Sequence, residues 1–255
     1  MAVHVRVVTP ITTQGFRTDE DAAHLSSEGV KVDFVNIEIG PASIESDYEM
    51  MLAQPGTIAR VIEAERAGAN AVVLDCMHDP GLFGARECVA IPVLGPMQTA
   101  MSVATMLGHK FSVVTVLDRI LSAIETQAAT YGMTGKLASA RAIDIPVLEL
   151  EKDPDATKRA LTEQALKAVT EDKADVIIFG CTGMFGCADA VHDGLFKNGL
   201  DIPVIDPMPN AVNIAAALVR SRLTHSKRAY PQPPKKKVLG YAGIGLGDHE
   251  RIAVE

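Results

Sequence analysis

The chain has 255 residues, of which 47% are hydrophobic, so it is long and apolar enough to form one large or two small globular domains. Its formal net charge of -8 argues against a nucleic-acid-binding protein, which would need a basic face. No apolar run approaches the roughly 18 residues of a membrane span, and the N-terminal residues lack the pattern of a signal peptide. We therefore expect a cytoplasmic protein whose four cysteines are free thiols.

The first part of the chain alternates short apolar runs with helical patterns. The runs predict strands over 3–8, 32–37, 71–74 and 92–94. The helical patterns predict helices over 18–27, 54–67 and 83–89, with Pro55 in the first turn of the second helix. A loop that starts at Thr9 follows the first strand, and a turn-rich loop over 40–45 follows the second.

The alternation repeats after Gly95 and Pro96, where the chain crosses into a second half. Strands are predicted over 111–116, 176–179 and 203–205, with a strand or extended segment over 137–150. Helices are predicted over 98–107, 120–130, 156–171, 184–198 and 209–222. Strands that alternate with helices indicate parallel sheets covered by helices, and two such sets indicate two similar α/β halves. We assign 1–96 with 207–225 to the first domain and 97–206 to the second.

The composition changes after Ser226, and 226–255 reads as a C-terminal tail that could dock on a partner subunit. Its lysine run over 235–237 is isolated, so we expect it to be solvated. The closely spaced glycines Gly243, Gly245 and Gly247 resemble a dinucleotide-binding loop. They lack the surrounding βαβ unit, so we predict no nucleotide site there.

Two stretches of the chain have the same pattern of a buried strand followed by a cysteine. Each is a short, buried parallel strand, 71–74 or 176–179, whose carboxyl end delivers a cysteine into a turn. Ligands bind beyond the carboxyl ends of strands in open α/β sheets, so Cys76 and Cys181 should flank one site. Free backbone N–H groups before a helix predict a lowered thiol pKa. The alternative is that both cysteines are small core residues.

Two facing thiols suit racemisation without a cofactor. One thiolate can remove a proton from a carbon acid, and the other thiol can return a proton to the opposite face. Such a carbon needs its enolate oxygen stabilised, and backbone N–H groups and hydroxyls at strand ends suit that task. A thiol with a tuned pKa is an effective acid or base near neutral pH. We therefore predict that Cys76 and Cys181 are the catalytic pair.

Other reactive side chains point less clearly to function. Cys88 and Cys187 lie further along the helices, where core or surface positions are expected. His78 could orient a substrate or be an ordinary polar loop residue. A metal site made from Cys76, His78, Cys181 and Cys187 is not favoured, because no C-x-x-C spacing supports it. We predict neither a metal nor a cofactor.

Several short motifs are characteristic in combination. They are Pro41-Ala-Ser-Ile-Glu45, Cys76 with Asp79-Pro-Gly-Leu82 and Ala85-Arg-Glu87, Phe111-Ser-Val-Val-Thr115, Gly180-Cys-Thr-Gly-Met184, and Pro203-Val-Ile-Asp206. On these residues the chain, from about 3 to 226, resembles the aspartate/glutamate/hydantoin racemase superfamily. Within it, the resemblance is to the hydantoin and allantoin racemase branch.

The resemblance implies a fold of two pseudo-symmetric parallel-sheet α/β domains, with the active site in the cleft between them. It also implies a homo-oligomer and cofactor-independent racemisation of a 5-substituted hydantoin or a related cyclic ureide such as allantoin. Cys76 and Cys181 match the catalytic cysteines, and single-cysteine relatives decarboxylate instead. The implied substrate-binding residues are Pro10, Ile11, Ser43, Ile44, Met77, His78, Thr115, Val116, Thr182 and Gly183.

The chain departs from the branch at four positions. Ile11 replaces an asparagine, Val116 a threonine, Gln98 a glutamate and Pro207 a glycine. Together these changes remove polar groups near the expected pocket. They favour a substrate other than plain hydantoin or allantoin, or one with a bulkier, more apolar 5-substituent.

Two alternatives stay open at this stage. The chain could be an isomerase or decarboxylase on the same scaffold that uses one cysteine. It could also be a non-catalytic protein that binds or senses a small molecule.

Overall fold

The computed structural model describes residues 2–234, 236 and 238–241, and these contain two four-stranded parallel sheets. The strand orders are β2-β1-β3-β4 and β6-β5-β7-β8, so the two sheets have the same topology. The strands are β1 Val3–Thr9, β2 Val30–Asn36, β3 Ala71–Leu74, β4 Val93–Leu94, β5 Phe111–Thr115, β6 Leu137–Ala142, β7 Val176–Phe179 and β8 Val204–Ile205. The predicted α/β class with two parallel sheets is confirmed.

Helices cover both faces of each sheet. They are α1 Asp19–Leu25, α2 Asp47–Arg66, α3 Leu82–Cys88, α4 Pro96–Leu107, α5 Leu121–Thr130, α6 Pro154–Thr170, α7 Ala188–Phe196 and α8 Pro207–Arg220. The first sheet packs against α2 and α3 on one face and against α1 and α8 on the other. The second packs against α6 and α7, and against α4 and α5. None of the helices in the described part of the chain is both long and apolar enough to cross a bilayer.

The strands β3 and β7 occupy equivalent central places in the two sheets. Each has neighbours on both sides, and every residue of both strands is buried. Parallel strands buried on both faces read as continuous apolar runs, and the sequence predicted both of these strands with the correct limits. Each strand is followed after one further residue by a cysteine, Cys76 or Cys181.

The last helix returns to the first sheet, and the chain then runs over α3. The Lys227 ammonium donates a hydrogen bond to the carbonyl oxygen of Arg86 near the end of α3, at 2.7 Å. The Tyr230 ring stacks on Phe83, with ring centroids 6.1 Å apart. The residues up to Tyr230 are therefore tied to the first half. The domain limits stay a prediction, and Gly243, Gly245 and Gly247, with most of the predicted tail, lie outside the described residues.

Three predicted elements had a limit that was wrong by more than two residues. The helix α2 begins at Asp47, where Ser46 caps it, so Pro55 lies inside the helix and not at its start. Packing of the α2 face against the sheet outweighs the local cost of that proline. The helix predicted from 184 begins only at Ala188, because a 3-10 turn and Gly186, with a φ of 78°, come first. The strand predicted from 137 ends at Ala142.

We predict that Gly180→Ala lowers the free energy of unfolding by about 1–3 kcal/mol, because the added methyl group overpacks the end of β7. A Cβ at Gly180 would lie 2.5 Å from the Thr115 Cβ. Gly135→Ala is the control, since its Cβ would meet nothing within 4 Å. Urea unfolding of both variants measures the difference, and equal stabilities would contradict the prediction.

Candidate active site

A cavity of about 30 Å³ lies at the carboxyl ends of the strands of both sheets. Its walls come from matching loops of the two halves, those after β1 and β5, after β2 and β6, and after β3 and β7. The lining residues of the first half are Ile11, Phe16, Ile44, Asp75, Cys76, Met77 and His78, and those of the second are Val116, Ile120, Val147, Gly180, Cys181 and Thr182. The cavity is therefore shared between the halves and mostly apolar.

The two cysteines and most of the predicted substrate-binding residues meet at this cavity. Those on its wall, besides the cysteines, are Ile11, Ile44, Met77, His78, Val116 and Thr182. The remaining predicted residues, Pro10, Ser43, Thr115 and Gly183, do not line it. Thr115 is fully buried, and its hydroxyl donates a hydrogen bond to the Gly180 carbonyl at 3.1 Å. Gly183 lies behind Cys181, next to its sulfur.

Both thiols sit in similar backbone settings. The N–H of Gly183 points at the Sγ of Cys181, at 3.4 Å, and the N–H of His78 forms the equivalent hydrogen bond with Cys76. Each of these bonds lowers the pKa of its thiol, because it stabilises the thiolate. The symmetry of the fold therefore extends to one amide donor for each sulfur.

Burial nevertheless dominates, and the predicted lowering of the thiol pKa values is wrong. Burial raises the pKa of Cys181 to about 11 and raises the pKa of Cys76 well above its usual range. The helix dipole does not compensate, since α3 and α7 begin several residues after the cysteines and the dipole acts within about one turn. A charge on Cys181 raises the pKa of Cys76 further, so ionisation of one thiol opposes ionisation of the other.

Sequence reasoning missed a buried ion pair beside the cavity. The guanidinium of Arg17 makes two hydrogen bonds to the carboxylate of Asp75, both 2.8 Å long, and a third to the Thr182 carbonyl, at 2.7 Å. The partners are 58 and 165 residues away in the sequence, so no local pattern marks them. The available signal was Asp75 itself, because a carboxylate at the end of a buried strand requires a counter-charge.

The Cys76 loop is also held by the second half. The Gln127 side chain donates to the Met77 carbonyl at 2.8 Å, and the Tyr131 hydroxyl donates to the Asp79 carboxylate at 2.6 Å. The same carboxylate accepts the N–H groups of Met97 and Gln98 at the start of α4. Burial raises the pKa of Asp79 to about 6 despite these donors. These contacts fix the loop between β3 and α3.

The loops after β2 and β6 complete the rim of the cavity. The carboxylate of Glu45 accepts the N–H of Val147 at 2.8 Å, beside the lining residue Ile44. This contact joins the first half to the second beside the cavity. Hydrogen bonds made by Arg17 and by Glu45 therefore both join the two halves next to the cavity.

His78 lines the cavity and carries a polar atom without a partner. Its Nε2 is buried and has no hydrogen-bond partner, and burial lowers the pKa of the imidazole, so the ring is neutral near pH 7. A buried nitrogen without a partner is costly, and a ligand in the cavity could supply one. His78 can therefore hydrogen-bond a bound molecule as donor or acceptor.

The other singled-out residues lie away from the cavity. Cys88 and Cys187 are half-buried and pack against apolar clusters, as expected for core residues. Gln98 accepts a hydrogen bond from Arg86 at 2.7 Å, and Pro207 opens α8. Of the four departures from the racemase branch, only Ile11 and Val116 therefore shape the cavity wall. In the described part of the chain, no group of three or more His, Cys, Asp or Glu side chains is placed to hold a metal ion.

Comparison with known proteins gives concordant matches. A family model described as Asp/Glu/Hydantoin racemase matches residues 8–215. The hydantoin racemase of Pseudomonas sp. (strain NS671) is 35% identical over 239 residues, which cover 92% of this chain and 94% of that protein.

Two solved structures are similar over nearly the whole chain. The allantoin racemase of Pseudomonas fluorescens has a TM-score of 0.86 and 36% identity, and covers 93% of this chain and 100% of its own. The allantoin racemase from Klebsiella pneumoniae has a TM-score of 0.86 and 31% identity, with 94% of this chain and 97% of its own covered.

We predict that alkylation of Cys181 by iodoacetamide accelerates about tenfold for each pH unit between pH 7 and 10, because only the thiolate reacts. The pKa of Cys181 is raised to about 11, so the thiolate fraction still grows throughout this range. Peptide mass spectrometry measures the rate. An unfolded cysteine peptide is the control and should level off above about pH 9. A plateau for Cys181 below pH 9 would contradict the prediction.

Proposed function

This chain belongs to the Asp/Glu/hydantoin racemase family, and from that premise we propose that it racemises a 5-monosubstituted hydantoin or a related cyclic ureide without a cofactor. Cys76 and Cys181 act as the two proton carriers. The observation that supports the proposal is that both thiols line one cavity, each from the same position of its own half. The homo-oligomeric state implied by the resemblance stays a prediction.

The proposed reaction is a proton exchange at the C5 carbon of the ring. The thiolate of one cysteine takes the C5 proton, and the electron pair of the C–H bond moves into the neighbouring carbonyl as an enolate. The thiol of the other cysteine then donates its proton to the opposite face of C5. The first cysteine ends as a thiol and the second as a thiolate, so the protein is left ready for the other enantiomer.

The surroundings of the thiols suit this chemistry. A thiolate in an apolar cavity lacks the hydration that would weaken it as a base, and this is the counterpart of the raised pKa values. The backbone N–H groups that face the two sulfurs limit the cost of forming the thiolate. The buried Nε2 of His78 hydrogen-bonds a polar group of the ring and so fixes its orientation. Fixed polar groups of this kind stabilise developing charge without reorganisation.

The cavity wall favours an apolar 5-substituent. Ile11 and Val116 stand in the matching loops after β1 and β5, and Ile44 and Val147 add two further aliphatic side chains. A ureido substituent, as in allantoin, would lose its hydrogen bonds to water there without gaining new ones. That loss costs about 1–3 kcal/mol for each unpaired group. We therefore propose a 5-alkyl hydantoin over allantoin as the substrate class.

We predict that Cys76→Ser and Cys181→Ser each lower the rate of racemisation by about 10²–10⁴-fold, because a hydroxyl cannot replace the thiol as acid or base. The assay follows the optical rotation of a single 5-alkyl hydantoin enantiomer in deuterated water, with deuterium at C5 measured by mass spectrometry. Wild type should lose rotation and gain deuterium together. Either variant retains at most exchange of one enantiomer without racemisation.

Cys187→Ser and Cys88→Ser are matched controls for the thiol substitutions, since both cysteines are half-buried and lie outside the cavity. They should keep the wild-type rate. Full activity in Cys76→Ser or Cys181→Ser would remove that cysteine from the reaction. Binding of the hydantoin to wild type without any deuterium gain would favour a non-catalytic binding protein instead.

We predict that wild type prefers 5-isobutylhydantoin to allantoin by at least about tenfold in kcat/KM, and that Ile11→Asn with Val116→Thr lowers this ratio by about 5- to 100-fold. The double substitution offers the ureido group new hydrogen-bond partners in the wall. Ile11→Leu is the control, because it keeps an apolar wall and should change the ratio by less than about threefold. A wild-type preference for allantoin, or an unchanged ratio in the double variant, would contradict the prediction.

A further inference from the structure

Arg17 occupies an unusual position for a loop arginine. It lies between β1 and α1, yet its side chain is only 4% exposed and that of its partner Asp75 is fully buried. The pair is bidentate, with Nε and Nη2 donating to the two carboxylate oxygens at 2.8 Å each. The Thr9 hydroxyl adds a third donor to Asp75, at 3.1 Å. This geometry restricts both side chains to one arrangement.

The same guanidinium reaches the other half of the molecule. Its Nη2 donates to the carbonyl oxygen of Thr182 at 2.7 Å, and the Thr182 hydroxyl donates back to the carbonyl oxygen of Asp75 at 3.2 Å. Asp75 is the residue before Cys76, and Thr182 is the residue after Cys181. One arginine therefore joins the side chain of Asp75 to the backbone of Thr182, and these two residues are the immediate neighbours of the two cysteines.

Three aromatic rings surround this contact. The guanidinium carbon lies 5.0 Å from the ring centre of Phe16, 6.0 Å from that of Phe34 and 5.5 Å from that of Phe185. Phe16 and Phe34 belong to the first half, whereas Phe185 follows Cys181 in the second. The rings exclude water from the ion pair, which strengthens its hydrogen bonds and adds cation–π attraction.

We propose that Arg17 is a positioning residue that clamps the Cys76 loop to the Cys181 loop and so fixes the placement of the two thiols across the cavity. Arg17 itself is not among the residues that line the cavity. The proposal rests on the proposed function only for its catalytic consequence, since the clamp itself is a property of the folded protein. Loss of the clamp leaves each thiol in place on its own strand, and of the contacts named above only the hydrogen bond from the Thr182 hydroxyl to the Asp75 carbonyl still joins the two loops.

The test removes the clamp without leaving a buried charge. Arg17→Met alone would strand the Asp75 carboxylate, so the variant is Arg17→Met with Asp75→Asn. The matched control is Arg6→Met with Asp33→Asn. Arg6 and Asp33 also form a bidentate pair, at 2.9 and 2.7 Å, but both lie within the first sheet. Arg6 and Asp33 are partly exposed, so this control reports the effect of deleting a bidentate ion pair that lies away from the cysteine loops.

The first readout needs no substrate. Amide hydrogen exchange, followed by mass spectrometry, should be at least about tenfold faster in peptides that contain residues 181–185 of the clamp variant than in wild type or the control. Exchange rates equal to those of the control would overturn the proposal. This comparison does not depend on activity. It therefore tests whether Arg17 holds the two loops together even if wild type shows no racemisation and the proposed function fails.

The second readout separates positioning from stability. The clamp variant should lower kcat for both hydantoin enantiomers by about 10–100-fold, because small displacements of reacting groups are costly, while KM changes by less than about threefold. The control variant should keep the wild-type kcat. Faster exchange with an unchanged kcat would overturn the positioning role, and so would a fall in kcat of the same size in the control.

Discussion

Parallel strands must all leave a sheet at the same edge, and the rest of this structure depends on that constraint. Each half sends the loops after its first three strands to that edge, and the two edges meet at the cavity. Because the strand orders are the same, β3 and β7 deliver their cysteines from equivalent places. The pairing of Cys76 with Cys181 thus follows from topology and needs no special local conformation.

The cavity balances two opposing electrostatic effects. Apolar walls make a thiolate expensive, and the pKa of Cys181 is raised to about 11, but they also prevent water from weakening that thiolate. Fixed groups lower the free-energy cost of forming a thiolate. An amide N–H faces each sulfur, and the positive charge of Arg17 lowers the pKa of Cys181. Asp75 partly offsets the charge of Arg17, so the ion pair makes the loops more rigid but adds little net charge beside the thiols. These fixed groups therefore favour ionisation of the thiols in an otherwise apolar cavity.

The sequence predicted those parts of the fold that depend on a short run of neighbouring residues. The buried runs of β3 and β7 have no competing pattern, so their limits and the two cysteines at their ends could be recognised. The predicted start of α2 was wrong because a proline marks the start of a helix only when no other contact stabilises the turns before it. Here the Ser46 cap and packing against the sheet stabilise the turns before Pro55. Arg17 was overlooked because a loop arginine normally lies in solvent. Its role depends on Asp75 and Thr182, which only the folded chain brings together.

The two halves share a fold, but they contribute different side chains to the cavity wall. His78 stands on one side without a counterpart of its kind on the other, and Asp75 is matched by Gly180. The two mirror-image forms of a substrate therefore meet different neighbours, although in water they have the same free energy. Their interconversion has an equilibrium constant of one, which obliges kcat/KM to be identical for the two forms. Any wall residue that holds one form more tightly must then slow its conversion by the same factor.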